Sequence, residues 1–321
     1  MQTTMVPMSL GDIFDRLFKL IGKTVVRNLI IAVIISVPAS IIFTYGMNDF
    51  FSFIAQAGKA QAFNQIFPRE YIFIMFRGMT LFFVAYAFFI LAYVAATVGV
   101  TIVGCAEMSD QPLSWSDALN RTFSIRLLRV YGQQILEYLA LGAMFIIPII
   151  FIGIGTGAKS VGIIFLGIML IMIAGVFAVY LFIRWVFALP AIAWENSGVI
   201  QSFSRSSFLV KGFWWRTFGI ILLLTIIAHF AISIIVTPIE FVALWGFFSN
   251  YFSLIGSISN RTVDSYEILG LFDSLGVGLG IVIFISYVLM LLVTPLITVV
   301  VYFDLRARKN EFEQLTKVAE S

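Results

Sequence analysis

The chain has 321 residues, of which 61% are hydrophobic and only 12% are charged. Because a soluble domain typically carries about 25% charged residues, this composition excludes a soluble globular protein. The formal net charge is +3, and it does not indicate nucleic-acid binding, because membrane topology accounts for where the basic residues lie. The sequence has one cysteine, Cys105, which excludes an internal disulfide and a cysteine-based metal cluster.

Six long apolar segments with few charges each provide the roughly 20 residues that a helix needs to cross a bilayer. The sequence therefore predicts an all-α, polytopic membrane protein with six transmembrane helices. The first segment is longer than the apolar core of a signal peptide, so we expect a retained signal anchor. Residues 47–77 are predicted to form a polar loop, and residues 238–275 a long external segment. The six predicted spans are about 24–46, 79–104, 130–154, 161–189, 217–237 and 276–301.

A short amphipathic helix is predicted for residues 9–23, before the first span. Ser9 and Asp12 have the spacing of an N-cap and its acidic partner, and the apolar side chains recur with helical periodicity. Such a helix lies in the headgroup plane of the membrane or packs on the cytoplasmic face of the protein itself, and the sequence leaves both alternatives open. Its predicted apolar stripe contains Leu10, Ile13, Phe14, Leu17, Phe18 and Ile21.

The same arrangement recurs twice along the chain. A shift of 105 residues places the Ser9–Asp12 cap on Ser114–Asp117, and an arginine occupies each of positions 16, 121 and 205. We therefore expect a single membrane domain, residues 1–321, built from three repeats of an interfacial helix followed by a transmembrane hairpin. The predicted repeats are residues 8–104, 113–194 and 196–303, and a charged cytoplasmic tail, residues 304–321, follows them.

The distribution of basic residues predicts the orientation of the spans. Fourteen of the twenty Lys and Arg residues lie in the N-terminal segment, the 105–130 and 195–216 connections and the C-terminal tail. Because basic residues accumulate on the cytoplasmic side of membrane proteins, we expect both termini and all three amphipathic helices to be cytoplasmic.

Two charged residues are predicted to lie within spans, where each costs roughly 2.5 to 3.5 kcal/mol on insertion scales. Glu137 and Arg184 fall on adjacent antiparallel spans and could form a structural ion pair, or Arg184 could extend to the membrane surface. They could instead line a polar cavity or a site for lipid headgroups. Pro190 and Pro295 lie near span ends, where each removes a backbone hydrogen bond and permits a kink.

Basic and aromatic residues outside the spans provide further candidate contacts. Each basic side chain near an anionic membrane surface adds about 1 kcal/mol of attraction. The predicted lipid-headgroup contacts are Arg16, Lys19, Lys23, Arg121, Arg205, Lys211 and Arg216. In the external segment, an aromatic-rich interfacial helix is predicted, and its Trp245, Phe247 and Phe248 are the candidate residues for docking a partner.

Three sequence stretches, residues 8–15, 194–216 and 301–309, resemble the bacterial family named for the membrane domain of glycerophosphoryl diester phosphodiesterases and the related YciC-like inner-membrane proteins. The resemblance implies a six-span helical domain in a bacterial cytoplasmic membrane. In some relatives this domain precedes a catalytic barrel, but no barrel is expected here, so phosphodiesterase activity is not expected either. The residues that match recurrent family positions, and that we expect to hold helix ends together, are Glu195, Asn196, Asp304, Arg306 and Arg308.

The sequence contains no recognisable Ser-His-Asp set, HExxH motif or pair of catalytic carboxylates, and it indicates no cofactor and no metal site. We therefore expect a non-enzymatic scaffold or complex subunit that docks membrane or envelope proteins through its outer loops and contacts anionic lipids, with no nucleic-acid partner. The alternative is transport or handling of a lipid or small solute through a polar cavity among the three repeats.

Overall fold

The computed structural model describes residues 6–62, 69–258 and 265–311, and 90% of these residues are helical. No strand occurs among them. The helices are α1 (Leu10–Ala62), α2 (Arg69–Met108), α3 (Trp115–Thr122), α4 (Ile125–Gly157), α5 (Val161–Trp185), α6 (Ala188–Glu195), α7 (Val199–Val210), α8 (Trp214–Ala243), α9 (Trp245–Ile258), α10 (Ser265–Gly270) and α11 (Gly276–Arg308), and a 3-10 turn occupies Leu271–Ser274.

Within the described ranges, six stretches are long and apolar enough to cross a membrane. Many of their large apolar side chains are exposed, which suits a surface that faces hydrocarbon rather than water. The predicted all-α fold with six spans is confirmed, and the chain is an integral, multi-pass membrane protein. The six stretches are Leu10–Gln56, Phe76–Met108, Ile125–Gly157, Val161–Glu195, Trp214–Ala243 and Gly276–Arg308.

The segment predicted as a separate interfacial helix, residues 9–23, is the first part of a single helix in the structure. Helix α1 runs unbroken from Leu10 to Ala62, because neither a proline nor a polar turn interrupts the helical pattern before Pro38. The predicted stripe is only partly buried: Ile13 and Leu17 are buried, whereas Phe18 is 63% exposed. The predicted polar loop 47–77 is also largely helical, since α1 continues to Ala62 and α2 begins at Arg69; residues 63–68 lie outside the described residues.

The predicted N-caps at Ser9 and Ser114 are both present. Ser9 Oγ accepts a hydrogen bond from the Asp12 backbone N–H at 3.2 Å, and the Asp12 carboxylate accepts one from the Ser9 N–H at 2.8 Å. At the start of α3, Ser114 Oγ accepts from the Asp117 N–H at 3.1 Å and donates to the Asp117 carboxylate at 2.7 Å. These bonds satisfy backbone donors that a helix start leaves without partners.

The fourth span is broken between α5 and α6, just before Pro190. A buried serine on α7 compensates for the backbone groups freed at the break. Ser206 Oγ accepts from the Phe187 N–H at 3.1 Å and donates to the Arg184 carbonyl at 2.8 Å. A break within a span is tolerated where neighbouring side chains supply the missing partners, and Ser206 does so here.

The chain divides into two compact units. The first unit comprises residues 1–27, 98–225 and 294–321, and the second comprises residues 28–97 and 226–293. Buried charged side chains concentrate in the first unit, where Glu137 and Asp304 are buried. The second unit has apolar cores rich in aromatic rings, such as the cluster of Phe43, Met47, Ala85 and Phe89 with Tyr287 packed against it.

Candidate functional site

Asp304, near the end of α11, is the centre of the first of two charged clusters in the first unit. Its carboxylate is fully buried and accepts hydrogen bonds from the Met8 backbone N–H at 2.7 Å and from Arg308 Nε at 3.0 Å. Arg216, at the start of α8, donates to the same carboxylate at 3.3 Å. The Met8 carbonyl also accepts from Arg216 and Arg308, at 2.8 and 2.6 Å. Asp304 therefore joins the segment before α1 to the ends of α8 and α11.

The second cluster joins the end of α6 to α7 and α11 through two acids. Arg205 on α7 donates two hydrogen bonds to the Glu195 carboxylate, both at 2.8 Å, and two to Glu311, at 2.6 and 2.7 Å. Arg306 donates to Glu311 at 2.9 Å, and the Tyr302 hydroxyl donates to Glu195. Paired bonds of this kind between guanidinium and carboxylate groups are both strong and geometrically specific.

The charges in this second cluster shift the ionisation of two groups outside the spans. Burial raises the pKa of the Glu311 carboxyl, but hydrogen bonds from Arg205 and Arg306 and their positive charges outweigh burial, so the pKa is lowered from its ordinary value of 4.5. Burial lowers the pKa of Arg205, but the hydrogen bonds to Glu311 and Glu195 outweigh it and raise the pKa. Both shifts favour the charged forms of these two side chains.

Three arginines lie near the starts of the predicted hairpins, and each binds an oxygen at the end of the returning helix. Arg27 donates to Glu107 of α2 at 2.6 Å. Arg129 donates to the carbonyl and side-chain oxygens of Asn196 at 2.8 and 3.0 Å, and Arg216 binds Asp304 of α11 as described above. We call these three contacts the arginine closures.

Asn196 differs from the other four residues that match recurrent family positions, because it contributes its backbone carbonyl as well as its side chain. It ends α6 in the left-handed region, with φ of 58°, which a short polar side chain tolerates better than most. This turn exposes the Asn196 carbonyl to Arg129. Asp304 and Arg308 belong to the first cluster, which we call the Asp304 cluster. Glu195 and Arg306 belong to the second cluster, which we call the Glu195 cluster.

The predicted lipid-headgroup residues separate into two groups. Arg205 and Arg216 are half-buried and bound to carboxylates of the protein itself, and Lys23 lies 3.6 Å from Glu107. The remaining four side chains are exposed and therefore available to a membrane surface: Arg16, Lys19, Arg121 and Lys211.

Glu137 and Arg184 are not paired in the structure. Glu137 on α4 is buried, and its carboxylate accepts a hydrogen bond from Gln133 one turn earlier. Arg184 near the end of α5 is exposed, and no ion pair joins the two residues in the described part of the chain. The polar cavity predicted around Glu137 and Arg184 therefore stays a prediction, since the two side chains do not form an ion pair.

The segment predicted to be external contains an aromatic face at the end of α8 and along α9, which we define as Phe241, Trp245, Phe248 and Phe252 and call the α9 face. Trp245, Phe248 and Phe252 have the spacing of residues on one side of α9, and Phe241 precedes them near the end of α8. Phe241 contacts the Trp245 ring edge-on at 5.4 Å and stacks on Phe248 at 5.3 Å. Trp245 and Phe252 are 58% and 61% exposed, whereas the predicted docking residues Phe247 and Phe248 are half-buried.

Several residues of the charged clusters were not predicted from the sequence. Glu311 and Tyr302 complete the Glu195 cluster, Glu107 binds Arg27, and Met8 contributes only backbone atoms. The arginine near each hairpin start was a usable signal, because a charge at the edge of a span needs a partner. The identity of that partner depends on which helix ends meet, and the local pattern does not specify this.

The chemistry of both clusters is that of stable ion pairing. Their carboxylates and guanidinium groups bind one another, and each acid accepts several hydrogen bonds, so the charges are neutralised within the protein. In the described residues, no group of three or more His, Cys, Asp or Glu side chains is placed to hold a metal ion. The arrangement holds helix ends together.

Comparison with known proteins yields one family. Residues 162–319 match the family model described as the membrane domain of glycerophosphoryl diester phosphodiesterase. No curated protein and no solved structure matches the chain. The match covers α5 to α11 and both Asp304 and Glu195, and it concerns the membrane domain rather than the catalytic domain of those enzymes. Residues 162–319 are thus similar to the membrane domain of glycerophosphoryl diester phosphodiesterases, and they include two of the three stretches that carry the resemblance in the sequence, residues 194–216 and 301–309.

Proposed function

We propose that the chain is a non-enzymatic membrane scaffold or complex subunit in a bacterial cytoplasmic membrane, and that it docks a membrane or envelope protein through the α9 face. The observation that carries the proposal is the exposure of Trp245 and Phe252 on one continuous aromatic surface. Large exposed apolar patches mark sites of interaction with proteins or membranes, and Trp is strongly enriched among the residues that dominate protein interfaces.

The scaffold is a single membrane domain with three repeats, each consisting of a short cytoplasmic interfacial segment and a transmembrane hairpin. Two observations support this organisation: the matching caps at Ser9 and Ser114, and the arginine closures. Substitution of Arg27, Arg129 or Arg216 by Gln should lower the thermal unfolding temperature in each case, whereas the exposed Arg121→Gln control should not. Unequal effects, with one closure dispensable, would contradict the repeat organisation.

The charged clusters provide the rigidity that a scaffold needs. A docking surface binds with less entropic cost when its supporting elements are already ordered. The Asp304 and Glu195 clusters fix the ends of α6, α7, α8 and α11 through charge-assisted hydrogen bonds. We infer that their role is to hold these helix ends in one arrangement.

The α9 face can be tested by photo-crosslinking in native membranes. A benzophenone amino acid would replace Trp245 or Phe252, and Phe230, which is 68% exposed on α8, provides the matched aromatic control within a span. We expect a protein adduct of one reproducible mass from positions 245 and 252, and lipid adducts alone from position 230. Lipid adducts alone from all three positions would mean that the α9 face lies in the membrane interface, and the docking proposal would fail.

Both termini are proposed to be cytoplasmic, where the exposed side chains of Arg16, Lys19, Arg121 and Lys211 meet anionic headgroups. A cysteine introduced at Ala158, in the exposed connection between α4 and α5, should react with a membrane-impermeant reagent added to intact spheroplasts. A cysteine at Arg121 should react only after the membrane is opened. The reverse pattern would overturn the orientation.

A further inference from the structure

An open groove lies between α1 and α11 in the second unit. The two helices run antiparallel and approach closely at two glycines one helical turn apart. A Cβ atom on Gly276 would lie 2.4 Å from the Asn48 Cα, and one on Gly280 would lie 2.3 Å from Thr44 Oγ1. Small residues at this spacing allow transmembrane helices to pack closely. Beside this contact, the helix surfaces separate and leave a cavity of about 470 Å³.

The groove has an apolar part and a polar end. Along α1 it is lined successively by Val37, Ser40, Ile41, Thr44, Tyr45 and Asn48. The α11 lining contains Phe284, Ile281 and Val277. Because Asn48 lies opposite Gly276, Tyr45, Asn48 and Val277 form one end of the groove, while Val37 and Phe284 form the other. The Ser40 hydroxyl donates to the Ser36 carbonyl at 2.7 Å within α1. The lining is therefore apolar along most of its length, and the hydroxyls of Thr44 and Tyr45 and the amide of Asn48 lie at one end.

The surrounding medium determines which molecules can enter. Both lining helices belong to predicted membrane spans, and Ile41 and Tyr45 are each 65% exposed. Water is a poor occupant, because an apolar cavity offers it too few polar partners. A partner helix is too thick: at a diameter of about 10 Å and a pitch of 5.4 Å it takes up about 420 Å³ per turn, so the groove would accept little more than one turn. A lipid chain is thin, apolar and present at the opening.

We propose that this groove binds one acyl chain of a membrane phospholipid, with the ester end of the chain beside Tyr45 and Asn48. The cavity volume lies within the range of about 300–1,000 Å³ that is usual for small-molecule sites. Apolar walls with a few polar groups at one end match an amphipathic ligand, whose hydrocarbon and ester parts differ in the same way. This site is separate from the α9 face, so it does not depend on the proposed docking function.

The test uses purified full-length protein in vesicles of phosphatidylethanolamine and phosphatidylglycerol that contain a small fraction of phosphatidylcholine with a diazirine in one acyl chain. Photolysis and peptide mass spectrometry then locate the adducts. We expect adducts concentrated at residues 37–48 and 277–284. Ile41→Trp should fill the groove and reduce these adducts about tenfold, since its indole occupies the space of the chain. Ile42→Trp is the matched control, because Ile42 is the adjacent residue of the same type, is 48% exposed and does not line the groove.

Ile281→Trp fills the groove from α11 and provides a second, independent variant. Thermal unfolding and the adducts at Phe230 show whether each variant keeps its fold. Loss of groove adducts in both filling variants, with retention in Ile42→Trp, would establish the site. Adducts spread over the spans in proportion to side-chain exposure, or groove adducts unchanged by both filling variants in folded protein, would overturn the proposal.

Discussion

At the scale of single residues, Asp304 combines complete burial with three hydrogen-bond donors and two positively charged neighbours. Removing one partner of a buried ion pair is costly, because the remaining charges stay buried without compensation. The carboxylate of Asp304 is therefore more important for stability than a surface acid, whose ion pairs contribute about 0–1 kcal/mol.

Asp304→Asn keeps the shape of the side chain and removes its charge. We expect the free energy of unfolding to fall by about 3 kcal/mol, since Arg216 and Arg308 lose their shared counter-charge. Thermal or denaturant unfolding in detergent measures the change. Asp15→Asn, at an exposed position of α1, is the control and should have little effect. Equal stability of the two variants would show that the Asp304 cluster does not hold the helix ends.

The Glu311 carboxyl predicts a pH dependence of stability. Its folded-state pKa is lowered below the ordinary value of 4.5, so the unfolded state takes up a proton first as the pH falls. The contribution of Glu311 is therefore complete above about pH 4.5 and is lost progressively below it, as the pH falls through the folded-state pKa.

The matched variant for this prediction is Glu311→Gln. The difference in unfolding temperature between the original chain and the variant should be positive at pH 7 and should shrink as the pH falls below 4.5. A difference that is independent of pH would contradict ionisation of Glu311 as the source of its contribution.

At the scale of the elements, the break between α5 and α6 depends on one hydroxyl. Ser206→Ala removes the partner of both the Phe187 N–H and the Arg184 carbonyl, and an unsatisfied buried polar group costs about 1–3 kcal/mol. We expect this loss of stability, together with faster hydrogen exchange at the Phe187 amide. Ser204→Ala on the exposed side of α7 is the control. Slow exchange at Phe187 in both variants would mean that Ser206 does not support the break.

The close contact between α1 and α11 also depends on individual glycines, of which Gly280 is one. Gly280→Ala places a methyl group within 2.3 Å of Thr44 Oγ1, so the helices must separate, and overpacking of this kind typically costs about 1–3 kcal/mol. Gly219→Ala on α8 is the control, because its added Cβ meets nothing within 4 Å and alanine favours the helix. The two variants should therefore change the unfolding temperature in opposite directions; a gain from Gly280→Ala would show that the close contact is absent.

At the scale of the whole molecule, the six spans could be predicted because each depends on local length and composition alone. The continuity of α1 could not, since an amphipathic stripe and an apolar span have the same helical period and residues 10–37 contain no proline to separate them. Asp304 and Glu195 were identified from family motifs, but their partners could not be: Met8 lies 296 residues from Asp304, and Glu311 lies 106 residues from Arg205. Such pairs depend on tertiary packing.

The predicted docking residues also depend on packing that the local sequence does not specify. Aromatic composition identified α9 as a candidate surface, and the exposure of Trp245 agrees with a docking role. Phe247 and Phe248 are instead covered in part by Tyr251 and Phe241, on which they stack. Phe252 is more exposed than either of these two side chains.

Native mass spectrometry after gentle extraction from the parent membrane tests the scaffold proposal most directly. We expect the chain to retain a protein partner in fixed stoichiometry, and Trp245→Ala combined with Phe252→Ala to release that partner without loss of the folded chain. The Phe230→Ala variant should keep the partner. A lone chain that carries only phospholipid, or a complex that survives the double substitution, would contradict docking through the α9 face.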